Sequence, residues 1–330
     1  AATCYWVGVS NPDNWNDPAN WSGTDDGTGG DCDGGVVPGS DDDVVFNGTN
    51  TNSVNLDTTV TVQSITNAGT YSGTLDGAAQ TVNVGTVSGT GNFQWDGGAL
   101  DLDTGTWTVA GNWDTSGVDI TPGTSIVVLN GTGKTIQNSA WDVFYSLTIS
   151  GDIDYSGSGG GTSASGTLTV SNIFTMAGGA SFWLNGPSTI TGTIDETGGG
   201  YLGVSGASAV LGTGGTISAG VLFNGETTMP ARTYGNYVAI QGGTGDADVS
   251  IMGAGTHTIA GNLTIFASWF DMTLNAATND PNVDIGGYID FTGTLSGTEI
   301  IQAGSGTWNV AGDINLTGGT LTTEGSNTFI

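Results

Sequence analysis

Basic residues are almost absent from this sequence of 330 residues. It has two Lys and Arg residues against 31 acidic residues, and its formal net charge is −29. Two cations cannot neutralise the phosphates of a nucleic acid, so the composition argues against nucleic-acid binding. The chain also has no basic face for anionic lipid and no apolar run of about 18 residues, so we expect no membrane insertion. The only histidine is His257, so the chain cannot supply the several histidines of a histidine-rich zinc site.

Strong helix formers are also scarce, whereas the sequence contains 60 glycines. Glycine destabilises a helix interior by about 1 kcal/mol relative to alanine. The apolar residues are mainly β-branched, leucine or aromatic, and such residues fit the pleated surface of a sheet. Ten Trp, ten Phe and eight Tyr supply core material that disordered glycine-rich chains lack. The composition therefore predicts a folded, all-β protein.

A short phrase of alternating residues recurs four times, beginning at Gly105, Gly166, Gly255 and Gly306, at intervals of 61, 89 and 51 residues. Alternation with period 2 indicates a short strand, and irregular repetition indicates stacked coils with variable loops. We predict a parallel β-solenoid (β-helix) over residues 46–330, preceded by an N-terminal cap module over residues 1–45. At roughly 22 residues per coil, the solenoid would contain about 13 coils.

His257 stands at the position that Trp107, Leu168 and Trp308 occupy in the other copies of the phrase. Those residues are the inward members of the alternation. We therefore expect an inward, buried or half-buried imidazole rather than a catalytic or metal-binding one.

Only two cysteines occur, Cys4 and Cys32. With no competing thiol, a Cys4–Cys32 disulfide is the natural hypothesis, and two unrelated buried thiols are the alternative. Closing a loop of this length would contribute about 3 kcal/mol in the chain-entropy model and would imply an oxidising compartment. The first residues, Ala1-Ala2-Thr3, are typical of what remains after cleavage behind small residues, so we expect a mature, secreted, extracellular chain.

Aspartates cluster near the N-terminus, and short carboxylates in glycine-rich loops are the ligands that calcium prefers. A solvated acidic loop is the alternative, because the standard calcium-loop motifs are missing. The candidate calcium ligands, the only cofactor site that the sequence indicates, are Asp25, Asp26, Asp31, Asp33, Asp41, Asp42 and Asp43.

The last residues, Thr328, Phe329 and Ile330, are largely apolar and carry no evident polar cap. Either the natural chain continues, or the last coil stacks against something, and a second copy would serve. The strand around Tyr5, Trp6 and Val7 would then supply the complementary edge by β-strand addition. The alternative is that residues 1–45 cap their own solenoid. Head-to-tail contacts of this kind can propagate as a fibre.

We expect no enzymatic activity. A polysaccharide lyase needs a cationic residue, for which Lys134 and Arg232 are the only candidates, and both lie in ordinary turn-like stretches. Exposed aromatic rings would stack on neutral sugars, although most should fill the core. The tryptophans considered for this role are Trp15, Trp21, Trp95, Trp113, Trp141, Trp183 and Trp269. Five Asn-x-Ser/Thr sequons permit glycosylation without indicating it, at Asn20, Asn47, Asn130, Asn262 and Asn315.

Several motifs together resemble a known class of protein. They are Tyr5-Trp6-Val7-Gly8, Asn20-Trp21-Ser22-Gly23, Val37-Pro38, Asp42-Asp43-Val44-Val45-Phe46, and the block of residues 105–149 that contains one copy of the phrase. The order resembles secreted bacterial surface proteins with autotransporter-like or adhesin-like β-helical repeats. The resemblance implies a parallel β-helix at the cell surface and no defined catalytic residues. The near-absence of lysine and the cysteine pair depart from that pattern.

The sequence thus predicts a structural extracellular protein that assembles with copies of itself, as a filament, sheath or surface coat, through end-to-end β-edge contacts. The alternative function is a cell-surface adhesin that binds glycans or a partner cell.

Overall fold

The computed structural model describes residues 1–9, 13–85, 91–139, 141–157, 161–243, 248–266, 271–292, 297–323 and 328–330. These residues form an all-β protein whose parallel strands stack as a β-solenoid of about 12 turns, which confirms the predicted fold class. The described helical structure is limited to two short 3-10 turns, Pro18–Asn20 and Cys32–Gly34. The chain divides into two compact units, one formed by residues 1–167 and 171–175 and the other by residues 168–170 and 176–330.

The strands of the first unit are two to seven residues long. They are β1 (Thr3–Trp6), β2 (Asp13–Asn14), β3 (Trp21–Ser22), β4 (Asp43–Phe46), β5 (Val54–Asn55), β6 (Val60–Val62), β7 (Ser64–Asn67), β8 (Thr74–Asp76), β9 (Thr81–Val84), β10 (Phe93–Trp95), β11 (Ala99–Asp101), β12 (Thr106–Val109), β13 (Trp113–Thr115), β14 (Ile120–Thr121), β15 (Ile126–Leu129), β16 (Lys134–Asn138), β17 (Val143–Ile149) and β18 (Ile153–Tyr155). Two further strands, β19 (Thr162–Val170) and β20 (Ile173–Ala177), contain the division between the units.

The first unit has three ladders of strands. One runs β18-β16-β13-β10-β7-β4-β1-β3, a second runs β14-β11-β8-β5-β2, and a third runs β17-β15-β12-β9-β6. From β4 to β15, each turn of the solenoid supplies one strand to each ladder, in the same order along the chain. The predicted boundary between residues 45 and 46 stays a prediction, and both sides of it lie in this unit.

Apolar side chains at matching register positions form the core of the first unit. Phe93 pairs in register with Ile65 on one side and with Trp113 on the other, and all three are buried. The rings of Phe93 and Trp113 stack with their centroids 4.6 Å apart. We call one turn of the solenoid a rung. Because inward residues repeat at every rung, each new rung buries the apolar face of the previous one.

The second unit contains the remaining strands, β21 (Ser181–Leu184), β22 (Ser188–Ile190), β23 (Thr193–Thr197), β24 (Tyr201–Ser205), β25 (Thr216–Ile217), β26 (Gly220–Asn224), β27 (Thr228–Met229), β28 (Thr233–Tyr234), β29 (Val238–Gln241), β30 (Asp248–Met252), β31 (Thr256–Ile259), β32 (Leu263–Phe266), β33 (Met272–Asn275), β34 (Asn282–Ile285), β35 (Ile289–Phe291), β36 (Glu299–Gln302), β37 (Thr307–Val310), β38 (Ile314–Asn315), β39 (Gly319–Thr322) and β40 (Thr328–Phe329). Its long ladders run β38-β35-β32-β29-β26-β24-β21, β27-β30-β33-β36-β39 and β28-β31-β34-β37-β40.

At the N-terminal end, the chain folds back on its own first strand. Strand β1 pairs in parallel with β4 on one edge and antiparallel with β3 on the other, with Trp6 opposite Trp21. Trp15 and Trp21 are buried with Trp6, and the rings of Trp15 and Trp21 meet edge to face at 4.6 Å. The predicted Cys4–Cys32 disulfide is present, with a Cα–Cα distance of 5.3 Å, and it joins β1 to the second 3-10 turn.

Candidate functional site

The strongest candidate site is the edge formed by β38, β39 and β40, which we call the C-terminal edge. Each of these strands is the last member of its ladder and pairs with one neighbour: β38 with β35, β39 with β36 and β40 with β37. Within the described residues, the other edge of each strand has no β-sheet partner. A strand paired along one side presents backbone N–H and C=O groups that can template a further strand.

The side chains of this edge are incompletely covered as well. Three inward ladders end there in Ile314, Leu321 and Phe329, which are half-buried. Their partners one rung earlier, Ile289, Ile301 and Trp308, are fully buried. The difference measures what a further rung would cover, because each ladder residue is buried by the rungs on both sides of it.

The assembly residues predicted near the N-terminus have a different environment. Trp6 is buried, and Tyr5 and Val7 are half-buried. The Val7 N–H donates to the Asn20 carbonyl at 2.9 Å, which extends the pairing of β1 with β3. Both edges of β1 are therefore occupied by the chain's own strands. Of the residues predicted at the other end, Phe329 lies in β40 and Ile330 is 75% exposed.

Among the described residues, the predicted calcium ligands are not gathered into one group. Within the described part of the chain, no group of three or more His, Cys, Asp or Glu residues is close enough to hold a metal ion. Hydrogen bonds from the Thr28 backbone and from the Thr24 and Thr28 hydroxyls lower the pKa of Asp26 to about 2. Asp42 is buried and accepts from the backbone N–H groups of Ala2 and Gly39. Calcium binding stays a prediction, and nothing is described of the Asp33 side chain.

His257 is fully buried, as its position in the repeated phrase predicts. Its Nε2 lies 2.8 Å from the Gly253 carbonyl oxygen, and among the described residues its Nδ1 has no hydrogen-bond partner. Burial lowers the pKa of His257 from its usual value near 6.5, and the Gly253 hydrogen bond opposes this shift only partly. The imidazole is thus a neutral ring of the interior ladder, in register with Val283 of the next rung.

The depressed pKa of His257 gives a pH dependence of stability that can be isolated, because the chain has one histidine. The native state binds the imidazole proton more weakly than the unfolded state. The free energy of unfolding should therefore fall as the pH drops below about 6.5, by at most about 1.4 kcal/mol per pH unit. Urea unfolding between pH 5 and pH 7.5 measures this slope. A His257→Leu variant should flatten it, and an unchanged slope in that variant would contradict a neutral buried imidazole.

The two cationic residues differ in their surroundings. Arg232 is 8% exposed, and its guanidinium donates to the carbonyl oxygens of Gly212, Gly214 and Gly215. Burial lowers the pKa of Arg232 from its usual value. The second cation, Lys134, is half-buried in β16. The guanidinium of Arg232 therefore braces a turn of the second unit through backbone carbonyls.

The tryptophans divide sharply by exposure. Trp15, Trp21, Trp95 and Trp113 are fully buried, as expected for core residues. Trp183 is half-buried, and Trp269 lies outside the described residues. Trp141 is 74% exposed. Among the sequons, Asn20 is 1% exposed, with its side chain bonded to Val9 and Asn14, so it is inaccessible in the folded chain.

A scan against protein-family models and searches of curated proteins and of solved structures find no match to this chain. The fold is compatible with β-helical repeat proteins, as the resemblance of the sequence implies. The Cys4–Cys32 disulfide indicates an oxidising, non-cytoplasmic environment. None of the helices in the described residues is long and apolar enough to span a membrane.

Proposed function

We propose that this chain is a structural extracellular protein that associates with a second copy of itself through the C-terminal edge. The observation that carries the proposal is the loss of burial along three ladders, from Ile289, Ile301 and Trp308 to Ile314, Leu321 and Phe329. The proposal assigns no catalytic step to the chain.

The charge of the edge supports the same proposal. The chain carries a formal net charge of −29, so two copies repel each other over most of their surface. Strands β38, β39 and β40 contain no charged residue. A contact made of the backbone hydrogen bonds and apolar side chains of these strands would therefore bury no charged side chain of β38, β39 or β40.

Because both edges of β1 are occupied, we propose that the C-terminal edge meets the same edge of the second copy. Such a contact is isologous: a twofold axis relates the two copies, and their edge strands run antiparallel to each other. The smallest product is a closed pair. A filament, sheath or surface coat would grow from such pairs through a further contact.

Substitution of Leu321 by aspartate should abolish the association. The variant places a charge on the inward side of β39, where a further rung would bury it, and burying an unpaired carboxylate is strongly unfavourable. Size-exclusion chromatography with light scattering should give a dimer or larger species for the 330-residue chain and a monomer for Leu321→Asp.

Thr320→Asp is the matched control, because Thr320 is exposed on the outward side of the same strand. It adds an equal charge one residue away and should leave the association intact. A wild-type chain that stays monomeric at tens of micromolar would contradict the proposal, as would equal effects of the two variants.

A further inference from the structure

Trp141 is the one fully described tryptophan whose ring is mostly in solvent. Its exposure is 74%, whereas seven others, among them Trp107 and Trp113, are nearly inaccessible. No other exposed large apolar side chain immediately precedes or follows it in the sequence. Because single exposed apolar side chains are common on protein surfaces, this exposure is informative only together with the backbone geometry that carries the indole.

The backbone at Trp141 is strained. Its φ is +74°, in the left-handed region that bulky side chains rarely adopt. Glycine takes this conformation freely, so the backbone geometry alone would favour glycine over tryptophan at this position. Strain of this kind persists where the surroundings fix the backbone, and it concentrates at sites that bind ligands.

The backbone next to Trp141 is held in place by the hydrogen bonds of Asp142, whose side chain is 3% exposed. Its carboxylate accepts from the backbone N–H groups of Ile120 and Ser139, at 3.1 and 3.2 Å, and from the Asn138 amide at 3.1 Å. The Thr115 hydroxyl lies 3.4 Å from the same carboxylate. The residue next to Trp141 is therefore hydrogen-bonded to neighbouring rungs, which fixes the backbone that carries the indole.

Polar groups that can bind the hydroxyl groups of a ligand lie beside Asp142. The half-buried Ser139 donates its hydroxyl to the exposed carboxylate of Asp119 at 2.7 Å. Ser139 precedes Trp141 by two residues. An exposed indole two residues from a hydroxyl that bonds to a carboxylate offers the groups that bind a sugar, whose C–H face stacks on a ring while its hydroxyls donate to oxygen acceptors.

We propose that Trp141, with Asp119 and Ser139, forms a binding site for a neutral carbohydrate. A protein partner is disfavoured, because a single indole has about the area of one sugar ring, far below the roughly 800 Å² that each partner of a stable protein complex buries. Anionic glycans are disfavoured by the net charge of −29 and by Asp119 itself. This site is independent of the C-terminal edge.

Affinity gel electrophoresis tests the site with the intact chain. Native gels contain one soluble neutral polysaccharide each (a glucan, a mannan, a xylan or a galactomannan), and a further gel contains anionic polygalacturonate. We expect at least one neutral polysaccharide to retard the wild-type chain, and polygalacturonate to leave its mobility unchanged. Trp141→Gly should weaken the retardation about tenfold, expressed as an apparent dissociation constant.

The same variant reports on folding, because glycine relieves the strain at this position. Trp141→Gly should therefore melt at a higher temperature than the wild type while it loses binding. Trp141→Phe keeps an aromatic ring and should retain most of the retardation. Tyr288→Ala removes another exposed aromatic ring, 44% accessible, and should change nothing.

Three results would overturn the proposal: no retardation of the wild type in any neutral gel, retardation that Trp141→Gly leaves unchanged, or equal losses in Trp141→Gly and Tyr288→Ala. A lower melting temperature of Trp141→Gly would contradict the strained platform on which the proposal rests.

Discussion

Replacement of Trp107 by alanine is expected to lower the free energy of unfolding by about 3–5 kcal/mol, the range for deleting a large aromatic side chain from a packed core. Trp107 is completely buried in β12 and lies in register with Val82 and Val127 of the adjoining rungs. Its ring meets that of Phe93 at 5.6 Å. The alanine variant leaves a cavity between rungs that small, β-branched neighbours cannot fill.

Urea unfolding followed by tryptophan fluorescence measures this loss. Trp107→Phe should lose less, because it keeps a ring in the cavity and removes an indole N–H that has no partner among the described residues. Thr108→Ala, on the outward side of the same strand, should change the free energy by about 0.5 kcal/mol or less. Equal losses at Trp107 and Thr108 would mean that the side chains of β12 do not alternate as described.

A second large effect is expected at Gly151. Gly111, Gly131 and Gly151 each follow a strand of one ladder by two residues, and successive members lie one rung apart. A Cβ at Gly151 would overlap the carbonyl oxygen of Gly131 and crowd other backbone atoms of that rung. Because backbone cannot move aside as a flexible side chain does, Gly151→Ala should destabilise the first unit by about 3 kcal/mol or more, at or above the usual range for overpacking.

Gly39→Ala is the matched control for Gly151→Ala. Its nearest neighbour would be a carboxylate oxygen of Asp42 at 3.7 Å, an ordinary contact, and its φ is not positive. Thermal unfolding should therefore separate the two alanine variants clearly. Similar melting temperatures for both would show that the rungs are not as closely spaced at Gly151 as the structure indicates.

The solenoid could be predicted because its signal is local and repeated. All four copies of the phrase form strands, and the inward position is buried in β12, β19, β31 and β37. The ladder to which each copy belongs could not be predicted. The copy at Gly105 and the copy at Gly255 occupy different ladders, β12-β15 and β31-β34. The face of a strand is set by the lengths of the turns before it, and glycine-rich turns encode those lengths weakly.

The candidate sites were predictable to different degrees. The apolar character of Phe329 and Ile330 is visible in the sequence. The fold-back of Trp21 onto Trp6 is not visible, since an antiparallel pair over two residues leaves no periodic pattern. The sequence includes Trp141 among seven tryptophans considered for stacking on sugars but does not distinguish it from the buried ones, because its exposure accompanies a backbone dihedral that the sequence does not reveal.

Hydrogen–deuterium exchange at two protein concentrations tests the proposed association through the C-terminal edge most directly. Amides on the unpaired side of β38, β39 and β40 exchange freely in a single chain and become protected when a second copy pairs with them. We expect peptides covering residues 314–322 and 328–330 to gain protection as the concentration rises, while the peptide containing β1 does not change. Exchange that is independent of concentration at the C-terminal edge, or new protection confined to β1, would contradict this expectation.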